Sequence, residues 1–373
     1  MTKTLLVVHP SDEMYGADKV LLKTIEALSG RWDIKVWLPT DVNYPRHLLS
    51  SALTTRGISA THVDLPVLRR AYMNILSVPS LALRFLRAAR LLRKVRPDAI
   101  YINTAALAPL APVAWALGIP VILHLHEFLA GAQKIILSPF LLFTSRIICV
   151  SQAIEHVLAQ SLRRKTTVVY NGFGLPRVSG SDGSPPTGLR VLVASRWNAW
   201  KGHETLLAAW NKLEREDATL MVLGGPPPSG RSVDVPRIVA SLNRPSSVQV
   251  YGETDDVTPY LRSCDVVVVP STQPDPLPTI AIEAAAAGKA VIGSAAGGLL
   301  EIVDDGITGW LFEPGDSDAL ARLIDRLNAS ELSSIGRAAR ARFEFLFDEE
   351  RYRNDVYRIF DEFYGDSIGG ENK

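Results

Sequence analysis

Short runs rich in valine and isoleucine alternate along most of the chain with stretches whose apolar residues recur at helical spacing. The runs fall at residues 4–9, 33–38, 61–65, 99–103, 121–125, 146–150 and 167–170, and again at 189–194, 219–223, 248–251, 265–269, 290–292 and 309–312. A near-continuous apolar run suits a strand buried on both faces, and alternation with helices predicts parallel sheets covered on both sides. The predicted fold class is α/β, as two doubly wound halves. Between the halves, Leu175-Pro-Arg-Val-Ser-Gly-Ser-Asp-Gly-Ser-Pro-Pro-Thr-Gly188 has the composition of a linker. The predicted organisation is a first domain over residues 1–175, a linker over 176–188, a second domain over 189–345, and a C-terminal helix over 346–364 that crosses back to the first domain. Two such halves are expected to face a cleft, with ligands at the carboxyl ends of strands.

Residues 99–123 carry no charge, and their length would fit a membrane span. Asn103, Pro109, Pro112, Gly118 and Pro120 cut the stretch into a strand, a short helix at about 107–117 and a second strand. Leu5-Leu-Val-Val8 is too short for the apolar core of a secretory leader. A hydrophobic share of 47% and a net charge of +1 over 373 residues exclude a disordered chain. The two cysteines, Cys149 and Cys264, sit in predicted strands and read as small apolar core groups of a reduced, cytoplasmic protein.

Charge is unevenly placed. Residues 1–170 hold 20 Lys and Arg against 10 Asp and Glu, and residues 171–373 hold 20 against 29, so the halves carry +10 and −9. Eight basic residues and no acidic one lie between Leu65 and Pro97. On a helix, Leu81, Phe85, Ala88, Leu92 and Val95 share one face, while Arg84, Arg87, Arg90, Arg93 and Lys94 spread over the other. One reading is a solvated helix packed on the sheet. The other is a patch, through Arg84, Arg87, Arg90 and Lys94, for the inner face of an anionic membrane. Nucleic acid is not expected, since no aromatic interleaving accompanies the charge.

Two segments after strands carry candidate chemistry. In Val191-Leu-Val-Ala-Ser-Arg196 an arginine leaves a buried strand, and Lys201-Gly202 follows just before a helical run. A guanidinium fork, a lysine and open helix N–H groups together suit phosphates. The other segment is Pro270-Ser-Thr-Gln-Pro-Asp-Pro-Leu-Pro-Thr-Ile-Ala-Ile-Glu283, where Leu277, Pro278 and Thr279 open a helix that Gly288 ends. Asp275 precedes that helix. Glu283 lies in it among Ile280, Ala281, Ile282, Ala284, Ala285 and Ala286. A carboxylate on so apolar a helix needs a partner, and ribose hydroxyls are suitable ones.

This second segment resembles the Glu-x7-Glu motif of the retaining, GT-B-fold glycosyltransferases of family 4, also called glycosyltransferases group 1, with Asp275 at the first acid and Glu283 at the second. Arg196 and Lys201 match the family's Arg-x4-Lys-Gly element, Tyr15-Gly-Ala-Asp-Lys19 looks like its glycine loop, and His-Leu-His-Glu127 carries a counterpart of its cleft histidine. The resemblance extends over about residues 3–360. It implies a nucleotide-sugar donor and a glycan or lipid-linked acceptor. Glu283 would contact the donor ribose, Asp275 the sugar hydroxyls, and Arg196 and Lys201 the diphosphate. Gly16 would shape the glycine loop, and His124 would contact the transferred sugar and assist the reaction. His126 is an equally placed rival, since alternation along a strand puts both on one face. Asp275 stands where the family usually has Glu, Pro278 where Gly is frequent, and Ser195 where Gly often precedes the arginine.

No cofactor and no metal is expected. Asp316-Ser-Asp318 has a metal-motif spacing but fits a helix N-terminus. The reading is a transferase of cell-surface glycan biosynthesis. Its rivals are a nucleotide-sugar epimerase on the same fold and a noncatalytic partner subunit.

Overall fold

The structure is a computed structural model, and it describes residues 2–69, 78–174, 188–227, 231–254 and 256–365. Most of the predicted linker and Arg70 of the basic stretch lie outside the described residues. The chain divides into two compact units, Met1–Gly172 with Glu350–Lys373, and Phe173–Glu349.

The first unit holds seven strands, β1 (Thr4–Val8), β2 (Asp33–Pro39), β3 (Ala60–Val63), β4 (Ala99–Ile102), β5 (Val121–Leu125), β6 (Arg146–Cys149) and β7 (Thr166–Val168). All pair in parallel, in the order β3-β2-β1-β4-β5-β6-β7. Its helices are α1 (Gly16–Leu28), α2 (Leu48–Thr55), α3 (Val78–Val95), α4 (Ala111–Ala116), α5 (Gly131–Leu141), α6 (Gln152–His156) and α7 (Gln160–Arg163). The helix expected at about 107–117 begins as a 3₁₀ turn, Ala105–Leu110, and becomes α4 at Ala111. Pro109 and Pro112 lack the N–H donors that a continuous α-helix would need there.

The second unit is a six-stranded parallel sheet of β8 (Leu189–Ala194), β9 (Ala218–Leu223), β10 (Val248–Val250), β11 (Val266–Val269), β12 (Ala290–Ser294) and β13 (Gly309–Phe312), ordered β10-β9-β8-β11-β12-β13. Its helices are α8 (His203–Trp210), α9 (Val235–Ala240), α10 (Thr258–Ser263), α11 (Thr279–Ala286), α12 (Leu299–Ile302), α13 (Ser317–Arg326) and α14 (Ala329–Leu346). Both sheets reverse their strand order beside the first strand of the unit, so chain leaving β1 and β4, or β8 and β11, diverges there and opens a ligand crevice.

The C-terminal helix expected over 346–364 begins at Glu349, after a break at Phe347, whose ring is buried while its carbonyl accepts the Phe173 N–H at 2.9 Å. The last helix, α15 (Glu349–Gly365), packs Tyr352, Val356, Ile359 and Phe360 into the first unit's core with Leu5, Val7, Tyr101 and Ile122. Burial stabilises by about 1.5–3 kcal/mol for each side chain of this size. Polar ties add to it: Tyr352 and Thr24 hydroxyls lie 2.6 Å apart, and Arg31 pairs with Asp361. Among the described residues, no helix is long and apolar enough to cross a membrane.

Candidate active site

At the switch point of the second unit, β8 ends at Ala194, and a 3₁₀ turn, Ala199–Lys201, leads through Gly202 into α8. Gly202 has φ +75°, and a Cβ there would stand 1.8 Å from the Pro270 carbonyl oxygen, so only glycine lets the two loops meet. That approach brings Lys201 to the loop after β11, where its Nζ donates to Asp275 across 2.5 Å. Asp275 is buried and Lys201 largely so, with side chains 7% and 20% exposed. The ammonium also lies 4.2 Å from the Trp200 ring centre. Asp275 is held in turn by the segment before α12: its carbonyl accepts the Gly298 N–H at 2.8 Å, and Gly297 takes φ +61° to allow it.

Leu277 and Pro278 are buried, and Thr279 opens α11, whose other residues except Glu283 have no more than marginal exposure. Glu283 is the one half-buried acid on this helix. Arg196 is exposed just beyond β8. Three further polar groups, after β11, at the end of β12 and at the start of α8, were not singled out in the sequence. The Ser271 and Ser294 hydroxyls and His203 Nδ1 are buried without a hydrogen-bond partner among the described residues. A buried polar group without a partner is costly. Burial, and then the charge of Lys201, push the His203 pKa down to about 4. Position at a strand end was the signal that could have found Ser271 and Ser294, and position at the start of α8 the one for His203.

In the first unit a chain of buried hydrogen bonds crosses the ends of β1, β4 and β5. His9 Nε2 donates to Asp18 at 2.6 Å, which leaves Nδ1 to accept from Asn103 at 3.1 Å. Asn103 Oδ1 accepts from Tyr101 at 2.7 Å and from His126 Nε2 at 3.0 Å, and the Tyr101 hydroxyl meets His124 Nδ1 at 2.6 Å. Asp18, in the first turn of α1, also accepts the Tyr15 N–H at 2.8 Å. Gly16, the first residue of α1, is exposed, and a Cβ there would meet nothing within 4 Å.

The rings of His124 and His126 lie 4.1 Å apart, on one face as strand alternation requires. They differ in access. His124 is 0% exposed and its Nε2 has no partner among the described residues, whereas His126 is partly exposed. Burial lowers both pKa values, that of His124 well below the ordinary value and that of His126 to about 3, so both rings are neutral near pH 7. With Nε2 donating to Asn103, neutral His126 keeps Nδ1 as an acceptor. Glu127 beside it accepts the Ala105 and His126 N–H groups, and burial outweighs those bonds to raise its pKa to about 7.

Residues 15–175 match the family described as Glycosyltransferase Family 4, and residues 188–330 match that described as Glycosyl transferases group 1. The chain belongs to this glycosyltransferase family. It is 27% identical over 222 residues to an uncharacterized glycosyltransferase of Methanocaldococcus jannaschii, covering 59% of this chain and 60% of that one. It is 34% identical over 179 residues to the lipopolysaccharide 1,2-N-acetylglucosaminetransferase of Salmonella typhimurium, covering 45% and 46%. The chain thus matches less than two thirds of the length of either relative. The fold is similar to that of Anabaena HepE, in its crystal structure with UDP and glucose, at a TM-score of 0.78 and 22% identity over 96% of this chain and 99% of HepE. Two parallel-sheet, Rossmann-like domains of seven and six strands make this the α/β GT-B fold.

Within this family 4 chain the second unit brings together Lys201, Asp275, Leu277, Pro278 and Thr279, with Glu283 one to two turns into α11. Lys201 and Asp275, expected to serve different parts of the donor, are bonded to each other. The first unit holds Gly16 at the start of α1 and seals His124 into its core, where it touches Tyr101 in place of reaching the surface. Asp316 caps α13 by accepting the Ala319 N–H at 2.8 Å, and Asp318 pairs with Lys212 at 2.8 Å. Burial pushes both thiols, Cys149 and Cys264, up to about 12, so neither is a nucleophile at neutral pH.

The basic face of α3 needs one correction. Arg84 turns inward and pairs with Asp64 at 3.1 Å and with buried Asp41 at 3.6 Å, so it does not belong to a free basic surface. Arg87 also pairs with Asp64, at 2.7 Å, but is half exposed. Ala88 and Leu92 are buried as the helical spacing predicts, while Leu83 and Leu86 stand out among Arg87, Arg90, Arg93 and Lys94.

Proposed function

We propose that the chain is a retaining, metal-independent glycosyltransferase whose second unit binds a nucleoside diphosphate sugar and whose first unit binds a glycan or lipid-linked acceptor, in cell-surface glycan synthesis. The observation that carries this reading is the gathering of Lys201, Asp275 and the start of α11 at the carboxyl ends of β8 and β11, with Glu283 on the same helix. Arg196 and Lys201 address the diphosphate, Glu283 the ribose and Asp275 the sugar hydroxyls. Lysine has three N–H donors, and the bond to Asp275 uses one, which aims the ammonium while leaving donors for phosphate oxygens. As the bond from the anomeric carbon to the phosphate oxygen breaks, charge develops on the diphosphate, and cations already in place stabilise it more than they stabilise the ground state. The acceptor hydroxyl passes its proton to the departing phosphate oxygen on the same face of the sugar. With Lys201, Arg196 and two helix starts supplying positive potential, the reading assigns no cation to the diphosphate.

In the first unit the histidine offered to the transferred sugar is His126, not His124, because it is partly exposed and keeps an acceptor nitrogen. The UDP bound to HepE supports a uridine diphosphate sugar as the first donor to test. The outer face of α3, with Leu83, Leu86, Arg87, Arg90, Arg93 and Lys94, is the proposed contact with the inner face of an anionic membrane.

A thermal-shift panel of nucleotide sugars tests the donor, since a ligand stabilises by RT ln(1 + [L]/Kd). One nucleoside diphosphate sugar should raise the melting temperature well beyond the others. Conversion of that donor to its epimer without any acceptor would contradict transfer.

A further inference from the structure

Away from the donor residues, three side chains from separate segments of the first unit converge. Asp12 lies in the loop after β1, His47 caps α2, and His62 is in the edge strand β3. Asp12 Oδ2 is 2.7 Å from His47 Nδ1 and 3.0 Å from His62 Nε2, and the three ligand-type atoms lie within 4.8 Å of one another. The imidazoles meet edge to face, with ring centres 5.5 Å apart.

We propose that Asp12, His47 and His62 form a binding site for a zinc-class divalent transition metal.

Two imidazoles and a carboxylate are a donor set for such ions, not for Mg²⁺ or Ca²⁺, which take oxygen ligands. Tetrahedral Zn²⁺, at about 2.0–2.1 Å from its ligands, sets neighbouring ligand atoms about 3.3 Å apart. The two oxygen-to-nitrogen separations therefore need to widen by about 0.3–0.6 Å, and the nitrogen-to-nitrogen separation, which is within 4.8 Å, has to come to the same value. The histidines have room to make that shift, with side chains 54% and 38% exposed, and they leave a fourth position to water. The carboxylate is fixed from behind. Asp12 is fully buried and accepts the Ser50 N–H at 2.7 Å and the Ser50 hydroxyl at 2.7 and 2.8 Å, the kind of outer-shell support that orients a metal ligand.

The backbone at His47 is a separate observation. Its φ of +44° and ψ of +46° put a β-carbon-bearing residue in the left-handed region, where glycine or asparagine is easier. Such a conformation persists when its surroundings impose it and often marks a functional position. Here it directs Nδ1 at Asp12. A bound ion would tie the loop that leads into α1 and Gly16 to α2 and β3, cross-linking positions 35 and 50 residues apart.

The test uses the full chain, stripped with chelator and then freed of it. Co²⁺ is titrated by its visible absorption, and Zn²⁺ by competition with a chromophoric chelator. One equivalent should bind. His62→Gln and His47→Asn, the latter suited to the left-handed backbone, should each weaken binding by more than about 100-fold, and Ser50→Ala by about 10-fold. His156→Gln, an exposed histidine outside the cluster, should leave it unchanged. Zn²⁺ should raise the melting temperature of the wild type and not of His62→Gln. No saturable uptake by the wild type would overturn the site and leave a carboxylate hydrogen-bonded to two histidines. Equal affinity in the wild type, His62→Gln and His47→Asn would overturn it as well. Neither result touches the donor contacts assigned to Arg196, Lys201, Asp275 and Glu283, which are all in the second unit.

Discussion

Lys201 and Asp275, 74 positions apart in sequence, form a largely buried ion pair at the ends of β8 and β11. The pair exists because Gly202 lets its loop close on Pro270 and because Gly297 and Gly298 seat the Asp275 backbone. Removing one partner of such a pair leaves the other charge uncompensated, so each residue also fixes its partner's position.

If Lys201 acts on the leaving group, Lys201→Ala should lower kcat by about 10²–10³, roughly 3–4 kcal/mol, with a smaller effect on donor Kd. Steady-state kinetics on protein with an unchanged circular dichroism spectrum measures this. Wild-type turnover would remove the assignment.

The two neighbouring histidines should separate by readout. His126→Gln should lower kcat with little loss of stability. His124→Gln should instead lower the unfolding free energy by about 1–3 kcal/mol, since it disturbs the buried bond to Tyr101. Urea unfolding and kinetics on both variants check this, and a kcat loss confined to His124→Gln would reverse the roles.

All thirteen strands among the described residues were legible because valine and isoleucine runs are what two-sided burial demands, and only ends moved. The expected strand at residues 61–65 is β3, Ala60–Val63, at the sheet edge where Thr61 and His62 are exposed and pattern constrains least. Asp275 and Glu283 were legible as acids beside an apolar helix. The bond from Lys201 to Asp275 was not, because it depends on loop closure between distant segments. Strand periodicity placed His124 and His126 on one face but carries no information on which one the neighbouring elements cover. Helical spacing likewise placed Arg84 on the polar face without showing that Asp41 and Asp64 wait there.

Buried neutral histidines make stability depend on pH. His126 and His203 have folded pKa values of about 3 and 4, and that of His124 is also depressed, against 6.5 for the free side chain. Their stabilisation is complete above pH 6.5 and is lost as pH falls towards the folded values, because the unfolded chain takes up protons first. Each contributes up to about 1.4 kcal/mol per pH unit. Glu127 works the other way: raised from 4.5 to about 7, its contribution is complete below pH 4.5 and is lost as pH rises through 7. Three histidines outweigh one carboxyl, so urea midpoints should fall from pH 6.5 to 5, and more steeply in Glu127→Gln. A flat or rising profile would contradict the assigned protonation states.

On the outer face of α3, each basic residue near an anionic surface contributes about 1 kcal/mol, screened by salt over about 8–10 Å. The protein should float with anionic vesicles at low salt, and less at high salt. Changing Arg87, Arg90, Arg93 and Lys94 together to Gln should abolish this. Equal behaviour with neutral and anionic vesicles would exclude the patch.

The most direct test of the donor site is calorimetric titration of UDP into the wild type and Glu283→Gln. A ribose contact from a half-buried carboxylate predicts that the variant binds more weakly by about 1–3 kcal/mol, with the fold unchanged. Equal affinity of the two folded proteins for the nucleotide would contradict the placement of the donor on α11.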